Sequence, residues 1–263
     1  MNILVCAKRV PMTGGTIVLT ADEQAIETRH LGFTISPHEE CGVEEAVRLI
    51  EANGGESVVL TLGPSEAVEQ LRDAMAIGID RAIHLQTGGG TSPGTKPNDE
   101  WDPEATASAI VDAIRSDESA SGPFDLVIFG NESADSGGFQ VGARVAHALH
   151  RPLVTGVKRI TLEGASVRCE QEVEGGRDVY VVPLPLMLTV KEGLNLPRYP
   201  SVPGRMRAGR KPVTTATPSR PTPRLELLRL VVPEGQGKRA EVIGNGPAAA
   251  PAVVETLRRL GVL

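Results

Sequence analysis

The chain has 263 residues, of which 40% are hydrophobic and only 3% aromatic, with a net charge of −6. That length suits one large α/β domain, with or without an appendage. The acidic balance excludes a global basic field for nucleic acid or acidic lipid, and the scarcity of aromatics argues against a base-stacking platform. Cys6, Cys41 and Cys169 lie far apart, with no C-x-x-C and no Cys/His spacing for zinc. No metal is therefore expected, and the thiols read as reduced, in a cytoplasmic protein. The opening "MNILVCAKRV" puts its positive charges after a short apolar run, the reverse of a signal peptide. No apolar stretch reaches the roughly 18 residues of a membrane span, so no membrane insertion is expected.

In chain order, "NILVCA" (2–7) is a near-continuous apolar run, as expected of a buried parallel strand. Val43, Ala46, Val47 and Ile50 then recur at helical spacing, and "NGG" stops that helix. "SVVLTLGP" (57–64) predicts a second buried strand, "SEAVEQLRDAMAIGID" a helix, and "RAIHLQ" (81–86) a third strand. Such alternation predicts βαβ units and a doubly wound, mostly parallel sheet with helices on both faces. "TGGGTSPGTKPNDEWDPE" (87–104) reads as a flexible surface loop, followed by a helix over about 103–116. A strand over 124–129, a loop, and a helix over about 138–149 come next. Residues 156–190 read as short strands joined by "EGA" and "EGG" turns, a small antiparallel β-meander. The Pro- and Arg-rich stretch "VKEGLNLPRYPSVPGRMRAGRKP" (190–212) looks like neither a strand nor a long helix. The chain thus divides into an α/β domain over 1–211 and, over 212–263, an extended C-terminal arm ending in a short amphipathic helix.

Two stretches could carry a site. In "FGNESADSGGFQVGARVA" (129–146) a strand passes through small and polar residues into a helix start. There Ser136, Gly137 and Gly138 let the backbone approach a phosphate, and α/β proteins place ligands at such strand ends. The competing reading is a tight turn in which Asp135 or Ser136 caps the helix. In "TISPHEECGVEEA", His38, Glu39 and Glu40 have the residue types for metal binding or acid–base work. The acids are better explained by a helix N-terminus, which favours negative charge. Neither G-x-G-x-x-G, a P-loop nor G-x-S-x-G occurs, and no nucleophile–base–orienter set can be assembled, so no catalytic residue is expected.

Taken in order, "ILVCAKRVP", "VEEAVRL", "GPSEAVEQLRDAMAIGIDRAIHL", "GNES…D…G…QVG" and "VKEGLNLPRYPSVPGRM" resemble the beta subunit of electron transfer flavoprotein. Asn195 to Ser201 is the most specific of these matches. The resemblance implies a heterodimer with an alpha subunit that holds most of an FAD, its flavin near the beta subunit. It implies AMP in the beta subunit, or a second FAD in electron-bifurcating relatives. Carried over by motif, the nucleotide pocket would comprise Cys6; Ser36, Pro37, His38 and Glu39; Leu62; and Asp135, Ser136, Gly137, Gly138, Phe139, Gln140, Val141, Gly142 and Ala146. The 36–39 stretch matches the family only at Pro37, and Thr13 stands where some relatives carry a tyrosine near the flavin. "ADSGGFQVG" is less acidic than the pattern of bifurcating members, which favours AMP.

The same resemblance makes the stretch after Asn195 a recognition loop. Val202 stands at the apolar anchor position, with Pro203, Arg198, Tyr199 and Arg205 beside it; Arg207, Arg210 and Lys211 would add positive charge toward an acidic partner surface. The implied function is an electron carrier without bond chemistry of its own. It takes electrons from flavin dehydrogenases, such as the acyl-CoA dehydrogenases of fatty acid oxidation, toward a quinone reductase. The alternative is a stand-alone α/β nucleotide-binding regulator without flavin.

Overall fold

A computed structural model describes all residues except 13, 15–16, 89–100, 223, 226 and 233–240. Most of the stretch read as a flexible loop over 87–104, and Thr13, lie outside the described residues. Apolar runs form the strands β1 (Asn2–Cys6), β4 (Glu56–Gly63), β5 (Arg81–Gln86) and β6 (Leu126–Gly130), and a short hairpin β2 (Val10–Pro11) and β3 (Phe33–Thr34) stands apart. The amphipathic runs between them form α1 (Pro37–Asn53), α2 (Val68–Ile77), α3 (Pro103–Ser121) and α4 (Val141–Leu149). Then follow β7 (Leu153–Glu163), β8 (Ser166–Val173), β9 (Gly176–Pro183), β10 (Leu186–Val190), α5 (Val202–Ala208) and β11 (Val213–Ala216).

Nine strands make one sheet in the order β11-β5-β4-β1-β6-β10-β7-β8-β9. Every pairing from β11 to β7 is parallel, and those of β7 with β8 and β8 with β9 are antiparallel. Alternate residues feed two cores, as the strand period of two requires. Ile3, Val5 and Ile128 pack with Val43, Val47, Leu71 and Met75 from α1 and α2. Leu4, Cys6 and Val127 pack with Ile110, Ile114 and Val145 from α3 and α4. The sheet is therefore the expected doubly wound one, with helices on both faces.

The meander read over 156–190 is divided. β7, β8 and β9 form it, but Leu186–Val190 is a fully buried strand inserted in parallel between β6 and β7. Four of its five residues are apolar, and the Thr189 hydroxyl is satisfied by the Gly156 N–H and Asn131, so the strand suits a position buried on both faces better than a half-exposed hairpin. The stretch over 190–212 contains the short helix α5, and β11 adds to the far sheet edge beside β5. At the other edge β9 exposes Val179, Tyr180 and Val181 in succession. Met1–Leu230 and Val231–Leu263 are separate compact units, the second holding helix α6 (Ala250–Arg259).

Candidate functional site: a cleft at the strand carboxyl ends

The carboxyl ends of β1 and β6 meet the start of α1. Its first turn is determined locally: Pro37 presets the backbone at the first helical position, and the Glu39 carboxylate accepts from the Ser36 N–H at 2.9 Å. The other Glu39 oxygen accepts from the Lys8 N–H at 2.9 Å, tying the chain after β1 to this turn. Gly130 closes β6 where a Cβ would come within 2.7 Å of the Glu39 side chain, so only glycine lets strand and helix approach this far.

Ser36, Pro37, His38 and residues Glu132 to Gly137 line an open cleft of about 440 Å³ at this junction. Gly137 takes a left-handed conformation (φ 53°), which turns the loop back toward the helix start. The Ser133 and Ser136 hydroxyls bond each other at 2.8 Å, and Ser36 Oγ donates to the Glu132 carbonyl at 3.3 Å. Lys8 Nζ reaches Asp135 at 2.6 Å. Burial pushes the Asp135 carboxyl up, but the Lys8 ammonium and the hydrogen bonds from Lys8, Ser133 and the Ser136 N–H outweigh it and hold the group below its ordinary range. His38 Nδ1 accepts from the Glu192 N–H at 2.7 Å, so the ring proton is on Nε2, 3.3 Å from Glu132 Oε1.

Beneath the cleft Glu39 is buried. Desolvation raises its carboxyl to about 7, against the opposing pull of the Ser36 and Lys8 N–H groups. Cys6 lies next to it, its thiol pushed well up by burial and then by the Glu39 charge, so it is an inert buried sulfur.

Of the residues expected at a nucleotide pocket, the structure brings Ser36, Pro37, His38, Asp135, Ser136 and Gly137 together as lining. Cys6 and Glu39 are the floor beneath them. Leu62, Val141 and Ala146 pack into the α3/α4 core. Gly142 lies against Thr189 and Phe129, where a Cβ would come within 3.0 Å of Thr189. Gly138, Phe139 and Gln140 connect the loop to α4, with Phe139 exposed and at positive φ, and the Gln140 amide oxygen accepts from Arg144. The helix accordingly starts at Val141, later than the expected 138. The lining also includes Glu132, Ser133 and Ala134, and Lys8 reaches it through Asp135. The "GNES" motif contains Glu132 and Ser133, whereas Lys8 gives no sequence signal because its role depends on a loop more than a hundred residues away.

The expected docking residues lie elsewhere on the same unit. Val202 opens α5 and is 74% exposed, and Tyr199 is 96% exposed. Pro203 follows Val202 in the first turn, and Ser201 caps it by accepting from the Gly204 N–H. The Arg198 guanidinium is bidentate to Glu51 and bonds both oxygens of Glu44, and Arg205 pairs with Asp73 at 2.8 Å. Lys211 Nζ is held by the carbonyls of Met75, Gly78 and Ile79 at the end of α2, so this cation is committed within the fold. Among the described residues no group of three His, Cys, Asp or Glu side chains could hold a metal, and no helix is long and apolar enough to cross a membrane.

A family profile described as the electron transfer flavoprotein domain matches residues 25–221. The chain is 33% identical to the electron transfer flavoprotein subunit beta of Bacillus subtilis over 81% of its length and 77% of that protein's. It is 29% identical to the subunit of the same name from Syntrophomonas wolfei over 98% and 96% of the two chains. It is also 33% identical to the caffeyl-CoA reductase–Etf complex subunit CarD of Acetobacterium woodii, over 81% and 77%. With the profile covering most of the sheet, its cleft and the segment through α5, the chain belongs to the electron transfer flavoprotein family, among its beta subunits.

Proposed function

We propose that this chain is the nucleotide-binding and partner-docking subunit of a heterodimeric electron carrier. AMP occupies the cleft, an alpha subunit contributes an FAD that the two chains enclose, and flavin dehydrogenases such as acyl-CoA dehydrogenases dock on the segment around Val202. The flavin, when bound, supplies the electron transfer. The residues of this chain hold the nucleotide, position the docking segment and keep water from the interface.

The observation that carries this reading is the cleft itself. It sits at the carboxyl ends of parallel strands and is bounded by a loop with a left-handed glycine that feeds the N-terminus of α4. The N–H groups of the first turn of a helix have no partners within the helix and suit a phosphate. Of the Ser133 and Ser136 hydroxyls, one keeps its proton for a ligand, and Lys8 stands at the rim paired with Asp135. These features support a nucleotide monophosphate as the ligand. Exposed Tyr199 and Val202 on a braced segment suit a docking anchor.

The relative from Acetobacterium, named for a reductase complex, favours a second reading: a bifurcating-type subunit with its own FAD in the cleft. One experiment separates the two. The chain is purified alone and with its alpha subunit, visible spectra are recorded, and bound nucleotides are extracted and weighed. AMP, with a flavin spectrum that appears only in the heterodimer, is the expected result. Two FAD per heterodimer would favour the second reading, and a chain that carries AMP but never recruits flavin would sink both in favour of a stand-alone regulator.

A further inference from the structure

The cleft and the docking segment share helix α1. That helix begins at the cleft with Pro37 and His38 and then runs under residues 192–198, which bond to it turn after turn. The Glu192 N–H donates to His38 Nδ1. Asn195 Nδ2 donates to the Cys41 carbonyl at 3.0 Å and to Glu45 at 2.8 Å, and the Asn195 carbonyl accepts from the Cys41 thiol. Arg198 closes the run on Glu44 and Glu51, its own N–H donating to Glu44. Of these α1 residues only His38 also lines the cleft, where its second nitrogen faces Glu132, another lining residue. A rotation of the imidazole would break both bonds at once. The His38 side chain is only 19% exposed, which limits such a rotation.

We propose that His38 is a positioning residue that joins the docking segment to the nucleotide cleft, so that a nucleotide in the cleft and the ordered arrangement of residues 192–199 stabilise each other. The inference rests on the nucleotide reading above. A ligand seated against the Glu132–Gly137 loop restricts Glu132. Glu132 fixes the imidazole, and the imidazole fixes the Glu192 N–H at the head of the segment. Arg198 then holds Tyr199 where a partner meets it. Linkage requires the effect to run both ways: the factor by which a nucleotide favours the ordered segment is the factor by which the ordered segment favours the nucleotide.

The test uses the full chain, with AMP as the probe. Hydrogen exchange is followed in peptides spanning 190–202, and the Glu192 amide reports its own bond to His38. Saturating AMP, verified by calorimetry for each protein, is expected to slow exchange over 192–199 by about fivefold or more, the lower end of typical couplings. In His38→Ala that slowing should vanish at its own saturating AMP. A wild type that binds AMP without slowing, or a variant that slows as the wild type does, would overturn the proposal while leaving the nucleotide reading intact. Should His38→Ala lose AMP altogether, Asn195→Ala decides, because Asn195 lies outside the cleft. Its dissociation constant for AMP should rise several-fold; an unchanged constant overturns the proposal. A wild type that binds no AMP would remove the nucleotide reading and this inference together.

Discussion

Burial raises the Glu39 carboxyl to about 7 although two backbone N–H groups favour its ionised form. In the unfolded chain the same group ionises near 4.5, so between those values the folded state binds more protons. Its contribution to stability is then complete below the unfolded value and is lost as pH rises through about 7. A separation of this size corresponds to about 3 kcal/mol. Denaturant unfolding of the wild type should therefore show stability falling between about pH 5 and 7.5. Glu39→Gln, with no charge to gain, should lack that component and start about 1–3 kcal/mol lower because an amide N–H2 replaces one acceptor. Parallel pH profiles for the two proteins would refute the assignment. The sequence alone puts Glu39 at a helix N-terminus, and it lies in the first turn of α1. Its second bond, to the Lys8 N–H, joins two chain segments 31 positions apart, and no local pattern announces such a contact.

At the scale of elements, α1 was legible because Ser-Pro-x-Glu carries its own start signal. Helix α5 was not, since a seven-residue helix is too short to be stable alone and Gly204 disfavours it further. Tertiary contacts make it. Ser201 caps it, Arg72 holds the carbonyls of Ala208 and Lys211, and Gly204 lets its backbone lie on α2, where a Cβ would collide with the Ala76 carbonyl oxygen. Gly204→Ala is therefore expected to push α5 off α2 at a cost of about 1–3 kcal/mol despite alanine's better propensity. Thermal unfolding checks this; a variant as stable as the wild type would show that the two helices are not in register as described. The end of α3 lies beyond the expected 116 for a related reason. Apolar periodicity stops at Ile114, yet the helix continues to Ser121. Its polar last turns are tied down by pairs from elsewhere, Arg81 with Asp117 and Arg151 with Glu118.

At the scale of the whole molecule, the doubly wound sheet was readable from strand–helix alternation, but strand order was not. Leu186–Val190 enters the middle of the sheet and Val213–Ala216 its far edge, positions set by long crossovers rather than by local sequence. Val202→Asp adds a charge where a helix N-terminus tolerates it, so folding and AMP binding should persist. Loss of an apolar anchor worth about 2 kcal/mol should slow electron transfer from the dehydrogenase by about 30-fold under subsaturating conditions. Stopped-flow rates equal to wild type would remove the anchor. The sheet also ends in β9, an eight-residue edge with three consecutive exposed apolar side chains. Unpaired edges of this kind recruit further strands. The isolated chain should accordingly self-associate as its concentration rises, and Val181→Lys should suppress this in light-scattering measurements. If that association occurs, the amount of chain a cell can keep dispersed is set by one exposed strand rather than by the stability of the whole fold.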